Sequence, residues 1–88
     1  MRFTWGSIKE RWNKSKHGIG FHVATTVFGD PLPATVSDPD HSTGEERLVT
    51  VGQSSAGHLL VVCHIEQGHT IRIISARKAQ PMNDKTTQ

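Results

Sequence analysis

The residues best able to do chemistry in this chain are cations and imidazoles. Lys16 and His17 stand side by side, Arg47 follows a pair of glutamates, and Arg72, Arg77 and Lys78 fall within one short stretch. Such a set suits a reaction that needs no cofactor. Metal-free cleavage of an RNA backbone asks that the 2′-hydroxyl lose a proton, that the pentavalent phosphorane be held, and that the leaving 5′-oxygen gain a proton. Arginine and lysine can hold the phosphorane, and a histidine can move the proton. Each residue also has a plain structural use. Lys16 suits a helix C-terminus, where the macrodipole favours positive charge. His17 suits a helix cap, and Arg77 and Lys78 suit a solvated strand end. Spacing alone leaves both readings open.

Other chemistries find less support. Six histidines invite a metal, but no His-x-x-x-His pair falls on a helix, and the single cysteine, Cys63, has no partner to complete a zinc site. Most of the histidines are therefore expected at the surface or rim, with no metal and no cofactor. No phosphate-binding glycine loop and no serine nucleophile elbow occur. Glu45 and Glu46 are adjacent, and on a strand they would point to opposite faces.

The 88 residues and 9.7 kDa allow one small domain. A chain of this size buries about 64% of its unfolded surface, so a ligand pocket of about 300–1,000 Å³ would hollow out much of its core. That argues against a large cofactor enzyme. No apolar run is long enough for a transmembrane helix, and no secretory peptide is expected. One cysteine excludes an internal disulfide framework and points to a reducing cytoplasm. The net charge of +2 hides a pattern. Residues 1–28 carry five bases and one acid, residues 29–46 five acids and no base, and residues 47–88 five bases and two acids. Two basic blocks around an acidic middle suit a polyanion-binding face with a separate acidic rim.

These groups need elements to place them. Arg2–Trp5 reads as a short strand. Ser7 and Glu10 form a capping-box pattern that opens a helix, Ile8, Arg11, Trp12 and Lys16 follow at helical spacing that puts Trp12 in the core, and Gly18 stops it. A second helix is predicted from Phe21 to Phe28, ended by Gly29-Asp30-Pro31. A short edge strand fits at Ala34–Val36, and Asp38-Pro39-Asp40-His41 reads as a loop set away from any RNA path. Strands are predicted at Arg47–Gln53, His58–Glu66 and His69–Arg77, joined as an antiparallel meander. Residues 80–88 are expected to fray. The fold class is α+β, two short N-terminal helices packed on an antiparallel sheet. A turn at Gln67-Gly68 would pair Glu66 with His69, His64 with Ile71 and His58 with Arg77. A Ser54–Gly57 turn would pair Gln53 with His58 and Arg47 with His64. One face would then carry Val49, Val51, Leu60, Val62, Ile71 and Ile73, and the other Leu48, Leu59, Val61, Cys63, Ile65, Ile74, Ala76 and Arg72. Two helices cover only one of these faces, so a partner chain or the tail is expected on the other.

Several strings are also familiar as a set: Asn13-x-x-Lys16-His17-Gly18, Phe21 with Ala24, Phe28-x-Asp30-Pro31, Glu46-Arg47, Gly52, and Arg72-Ile73-Ile74-Ser75-Ala76-Arg77-Lys78-Ala79. From Phe3-x-Trp5 to Ala79 the chain resembles the BrnT family of bacterial toxins. The resemblance implies a RelE-like microbial ribonuclease fold and a metal-independent endoribonuclease that arrests growth by cutting cellular RNA. It also implies a neighbouring BrnA-like antitoxin, whose ribbon-helix-helix half binds DNA and whose complex with the toxin represses their operon. Carried onto this chain, Arg72, Arg77, His17 and Lys16 are the expected catalytic residues. Arg72 and Arg77 would contact phosphate, Lys16 would support them, and His17 would transfer the proton. Lys78, Arg47 and Trp5 are expected to bind RNA, with Trp5 or Trp12 stacking a base. Family members usually continue into a short helix with a glutamate and a tyrosine, whereas this chain has no tyrosine. That departure leaves a second expectation, a catalytically impaired binding module that holds an antitoxin and co-represses its operon.

Overall fold

Three long strands with alternating apolar residues form the centre of the computed structural model, which describes residues 1–37 and 47–79. In chain order the elements are β1 (Arg2–Thr4), α1 (Ser7–His17), α2 (Phe21–Thr25), a 3₁₀ turn (Thr26–Gly29), β2 (Ala34–Ser37), β3 (Arg47–Gln53), β4 (Leu59–Gln67) and β5 (Thr70–Lys78). They make one five-stranded sheet in the order β1-β5-β4-β3-β2. β1 runs parallel to β5 and the other pairs are antiparallel. The α+β class with two short helices on a mostly antiparallel sheet is as expected. The loop expected at residues 38–41 and the tail from residue 80 lie outside the described residues. Among those described, no helix is long and apolar enough to cross a membrane.

Local chemistry sets the helix ends. Gly18 takes a left-handed conformation (φ 75°) and its N–H bonds Lys14 O at 2.8 Å, which stops α1. The capping box does not form. Gly6 holds the N-cap position, leaving Ser7 one residue inside the helix with no capping bond. The Glu10 carboxylate instead accepts the N–H of Phe21 at 3.0 Å, so it caps the start of α2. The second helix is shorter than predicted. The Thr25 and Thr26 hydroxyls donate to the carbonyls of His22 and Val23 at 2.7 and 2.6 Å. Such back-bonding, with β-branched crowding, tightens the chain into the 3₁₀ turn.

The core lies between this helical layer and one face of the sheet. Phe21, Ala24, Val27, Leu60, Val62, Ile73 and Ala76 are fully buried. Trp5 packs edge-on against Phe21, and Phe3 against Phe28. Trp12, expected in the core, is instead 72% exposed. The buried residue of α1 is Asn13, so the helix meets the sheet through a polar contact and not through its indole.

Register explains the remaining differences. Ser54 N–H bonds His58 O at 2.8 Å, closing a three-residue loop with Gly57 left-handed at φ 85°. Arg47 therefore pairs with Ile65, not His64, and Gln53 pairs with Leu59. This one-residue slip turns β3 over. Thr50 and Gly52 face the core, while Val49 and Val51 face out. Gly52 is required there, because a Cβ would sit 2.9 Å from Val27 Cγ1 and 3.2 Å from Asp30 Oδ2. Asp30 completes the joint. Its carboxylate accepts N–H groups from Gln53 at 2.7 Å and Leu32 at 3.0 Å, and these bonds hold its pKa below the usual value. The β4–β5 turn is Gly68-His69, with Gln67 opposite Thr70, His64 opposite Ile73 and Val61 opposite Arg77.

His64, expected at the rim, is fully buried. Its Nε2 lies 2.7 Å from the Thr50 hydroxyl, and the Phe28 ring stands edge-on to it at 5.0 Å. Burial lowers its pKa from the ordinary 6.5, against an opposing pull from Glu66.

Two outcomes follow from this packing. Gly52→Val should destabilise the protein by about 1–3 kcal/mol through overpacking against Val27, whereas Gly29→Ala, with open space around it, should change stability by less than about 0.5 kcal/mol. Urea unfolding checks both. The buried, neutral His64 binds a proton more readily when unfolded, so the unfolded state takes up more protons as pH falls below 6.5. Stability should therefore decline between about pH 7 and pH 5, and His64→Leu should flatten that decline. A wild-type stability curve flat over this range would contradict the assignment.

Candidate nucleic-acid interface

The edge of β5 is only partly covered by another strand. β1 pairs with Thr70, Ile71 and Arg72 and then turns away. α1 meets the edge further along, at Ala76, where the Asn13 side chain bonds the backbone as a strand would. Asn13 Oδ1 accepts the N–H of Ala76 at 3.0 Å, and Nδ2 donates to Ala76 O at 2.8 Å. Nδ2 also donates to Ile19 O at 2.9 Å, which ties in the turn after the helix.

This docking leaves a groove of about 320 Å³ between helix and strand. Lys9, Trp12, Lys16 and His17 line it from α1, and Ile74 and Ser75 from β5. Lys9, Trp12, Asn13 and Lys16 recur at the three- and four-residue spacing that shares one helix face. His17 is half-buried, and Lys16 is exposed.

A bulge shapes the strand side. The pairing steps from His64–Ile73 to Cys63–Ser75, leaving Ile74 without a partner. Without that extra residue, Arg72 and Arg77 would point to opposite faces, as the sequence pattern suggests. With it, both lie on the outer face, and Ala76 turns into the core. Their Cα atoms are on the order of 15 Å apart at normal strand rise. Arg47 shares this face, since Arg47, Ile65 and Arg72 form one row across three strands. The Arg72 guanidinium also reaches the start of α1, with Nη2 4.0 Å from where a Gly6 Cβ would lie. The outer face between the arginines is apolar, with Val36 60% exposed and Val49, Val51, Val61 and Cys63 half-buried.

The expected site residues thus divide. Lys16 and His17 meet in the groove, and Arg47, Arg72 and Arg77 share the outer face that borders it. Lys78 stands opposite Leu60 at the strand end, exposed but on the other face by alternation. Trp5 packs on Phe21, and Trp12 is the indole that lines the groove with Lys9, Lys16 and His17. Sequence reasoning missed Lys9 and Ser75. Lys9 was legible, two turns before Lys16, but Ser75 enters the groove only through the bulge. Among the described residues, no three His, Cys, Asp or Glu side chains gather where a metal ion would be held.

An open sheet face bearing arginines therefore borders a groove lined by lysines and a histidine, in a small α+β domain. The model of a family described as the ribonuclease toxin BrnT of type II toxin–antitoxin systems matches residues 5–83. The chain belongs to this family of ribonuclease toxins. The crystal structure of the Brucella abortus ribonuclease toxin BrnT, solved at 1.1 Å resolution, superposes with a TM-score of 0.67. The two chains are 21% identical, over 92% of this chain and 99% of that one. At this identity the likeness shows the shared fold. None of the curated proteins matches the chain significantly.

The Asn13 contacts can be tested directly. Asn13→Leu leaves the Ala76 N–H and two carbonyls without a side-chain partner and should cost about 2–4 kcal/mol in urea unfolding. Asn13→Asp keeps an acceptor for the N–H but sets carboxylate oxygens against both carbonyls, so it should cost at least as much. An aspartate variant as stable as wild type would refute the arrangement.

Proposed function

We propose that this toxin is a metal-independent endoribonuclease that cuts cellular RNA and arrests growth when its antitoxin is lost. The observation that carries the reading is the bulge at Ile74, which puts Arg72 and Arg77 on one face beside the Lys16–His17 groove. Arg72 and Arg77 hold the non-bridging oxygens of the scissile phosphate, where charge grows in the transition state. His17 takes the proton from the 2′-hydroxyl and is the group on hand to return one to the leaving oxygen. Lys16 supports the charge from the helix side. Arg47 and Lys78 contact flanking phosphates, contributing affinity that falls with salt. Of the two tryptophans expected to stack a base, Trp12, exposed at the groove, takes that role. The partner is a BrnA-like antitoxin with a ribbon-helix-helix half, through which the complex reaches DNA, and the setting is the cytoplasm.

The purified protein should cut single-stranded RNA with undiminished rate in excess chelator. Arg72→Ala, Arg77→Ala and His17→Ala should each slow cleavage by about 10²–10⁴-fold, with little change in unfolding midpoint because these side chains are outside the core. In bacteria, expression should halt growth, and the adjacent gene product should restore it. Harmless expression combined with tight antitoxin binding would instead identify a co-repressing binding module.

A further inference from the structure

The helical layer is shorter than the sheet it covers. Beyond Phe28, the inner face of the sheet opens into a second cavity, of about 340 Å³. Phe28 and Ile71 give it apolar walls. Thr35, Thr50, Glu66 and His69 give it polar groups. Its volume is near the small end of ligand pockets, with room for one flat ring system.

The polar floor is wired. The Thr35 and Thr50 hydroxyls are 2.8 Å apart, and Thr50 is 2.7 Å from His64 Nε2. The other ring nitrogen, Nδ1, is buried and has no hydrogen-bond partner; the Glu66 carboxylate lies 3.7 Å from it. A carboxylate at that distance favours the tautomer with hydrogen on Nδ1. Nε2 then accepts from Thr50, and Thr50 accepts from Thr35. Glu66 lines the cavity with a half-exposed carboxylate, a group that only accepts hydrogen bonds.

We infer that this cavity is a nucleobase subsite selective for guanine, with Glu66 accepting the base's N1–H and 2-amino group. Guanine is the base with two adjacent donors on its Watson–Crick edge. Adenine and cytosine each set one donor beside a ring-nitrogen acceptor, and uracil sets its one N–H between two carbonyls. Phe28 and Ile71 contact the ring. The subsite deepens the ribonuclease reading and rests on it: the cavity lies on the inner face beside the β4–β5 turn, and Arg2 and Arg72 lie on the outer face at the same end of the sheet. Arg2 is exposed, pairs with Thr70 beside the Thr4–Arg72 pair, and its N–H bonds His69 O at 2.9 Å. An RNA strand passing Arg72 and Arg2 can turn over Gly68-His69 and deliver a base to the cavity. Such recognition of splayed bases by rings and edge hydrogen bonds is how single-stranded RNA is read.

The test titrates GMP, AMP, CMP and UMP into the full chain, followed by amide NMR shifts. GMP should bind at least about tenfold more tightly than the others, the scale of one bidentate base contact. IMP keeps N1–H but lacks the 2-amino group and should fall between. Glu66→Gln, at a half-exposed side chain, should bring GMP down to the AMP level with the unfolding midpoint kept. Equal affinity for the four nucleotides, or a guanine preference that survives Glu66→Gln, overturns the subsite. Mapping cleavage products separates the two readings. RNA cut without guanine at a fixed distance from the break overturns the subsite and leaves the ribonuclease standing. GMP selectivity without any RNA cleavage keeps the base-binding site and overturns the ribonuclease reading.

Discussion

One side-chain amide decides how the parts of this small protein meet. Asn13 satisfies both backbone groups of Ala76 and the carbonyl of Ile19, joining residues 63 positions apart in sequence. A hydrophobic contact there would fill space but leave a strand edge unpaired, and buried backbone groups without partners are costly. An amide fits because it presents one acceptor and two donors in a plane, as a neighbouring strand would. The helix is consequently held against β5. That pose keeps Trp12 and Lys16 in solvent beside β5, and the cationic groove depends on it.

A second constraint is parity. Side chains on a strand alternate, so residues five apart cannot share a face without a fault in the ladder. The fault at Ile74 is small, yet it does two things. It aligns Arg72 with Arg77 on the outer face, and it sends Ala76 inward to meet Phe21 and its neighbours in the core. The family match and the likeness to the Brucella toxin agree with the fold that carries this bulge.

Much of this was legible in the sequence. Alternation marked the three long strands to within a residue, Gly18 marked the end of the first helix, and the Lys16–His17 and Arg72–Lys78 strings marked the cations. What escaped was register. The Ser54–Gly57 stretch is compatible with a four-residue or a three-residue loop, and the choice turns all of β3 over. The deciding information is tertiary: Gly52 faces Val27, where a Cβ would come within 2.9 Å of Val27 Cγ1. The Ile74 bulge carries no glycine or proline to announce it. His64 escaped for a related reason. A histidine is expected outside, and only the hydroxyls of Thr50 and Thr35 make its burial tolerable.

The groove also has a time dimension. Its two walls come from the first helix and the last strand, and the contact that sets them spans 63 positions. Contacts of such separation form late, after local structure. A chain emerging from the ribosome therefore displays α1 long before β5 exists, and a product broken off ahead of Ala76 has cations but no groove to hold them in. The groove is complete only once β5 has been made and has met α1.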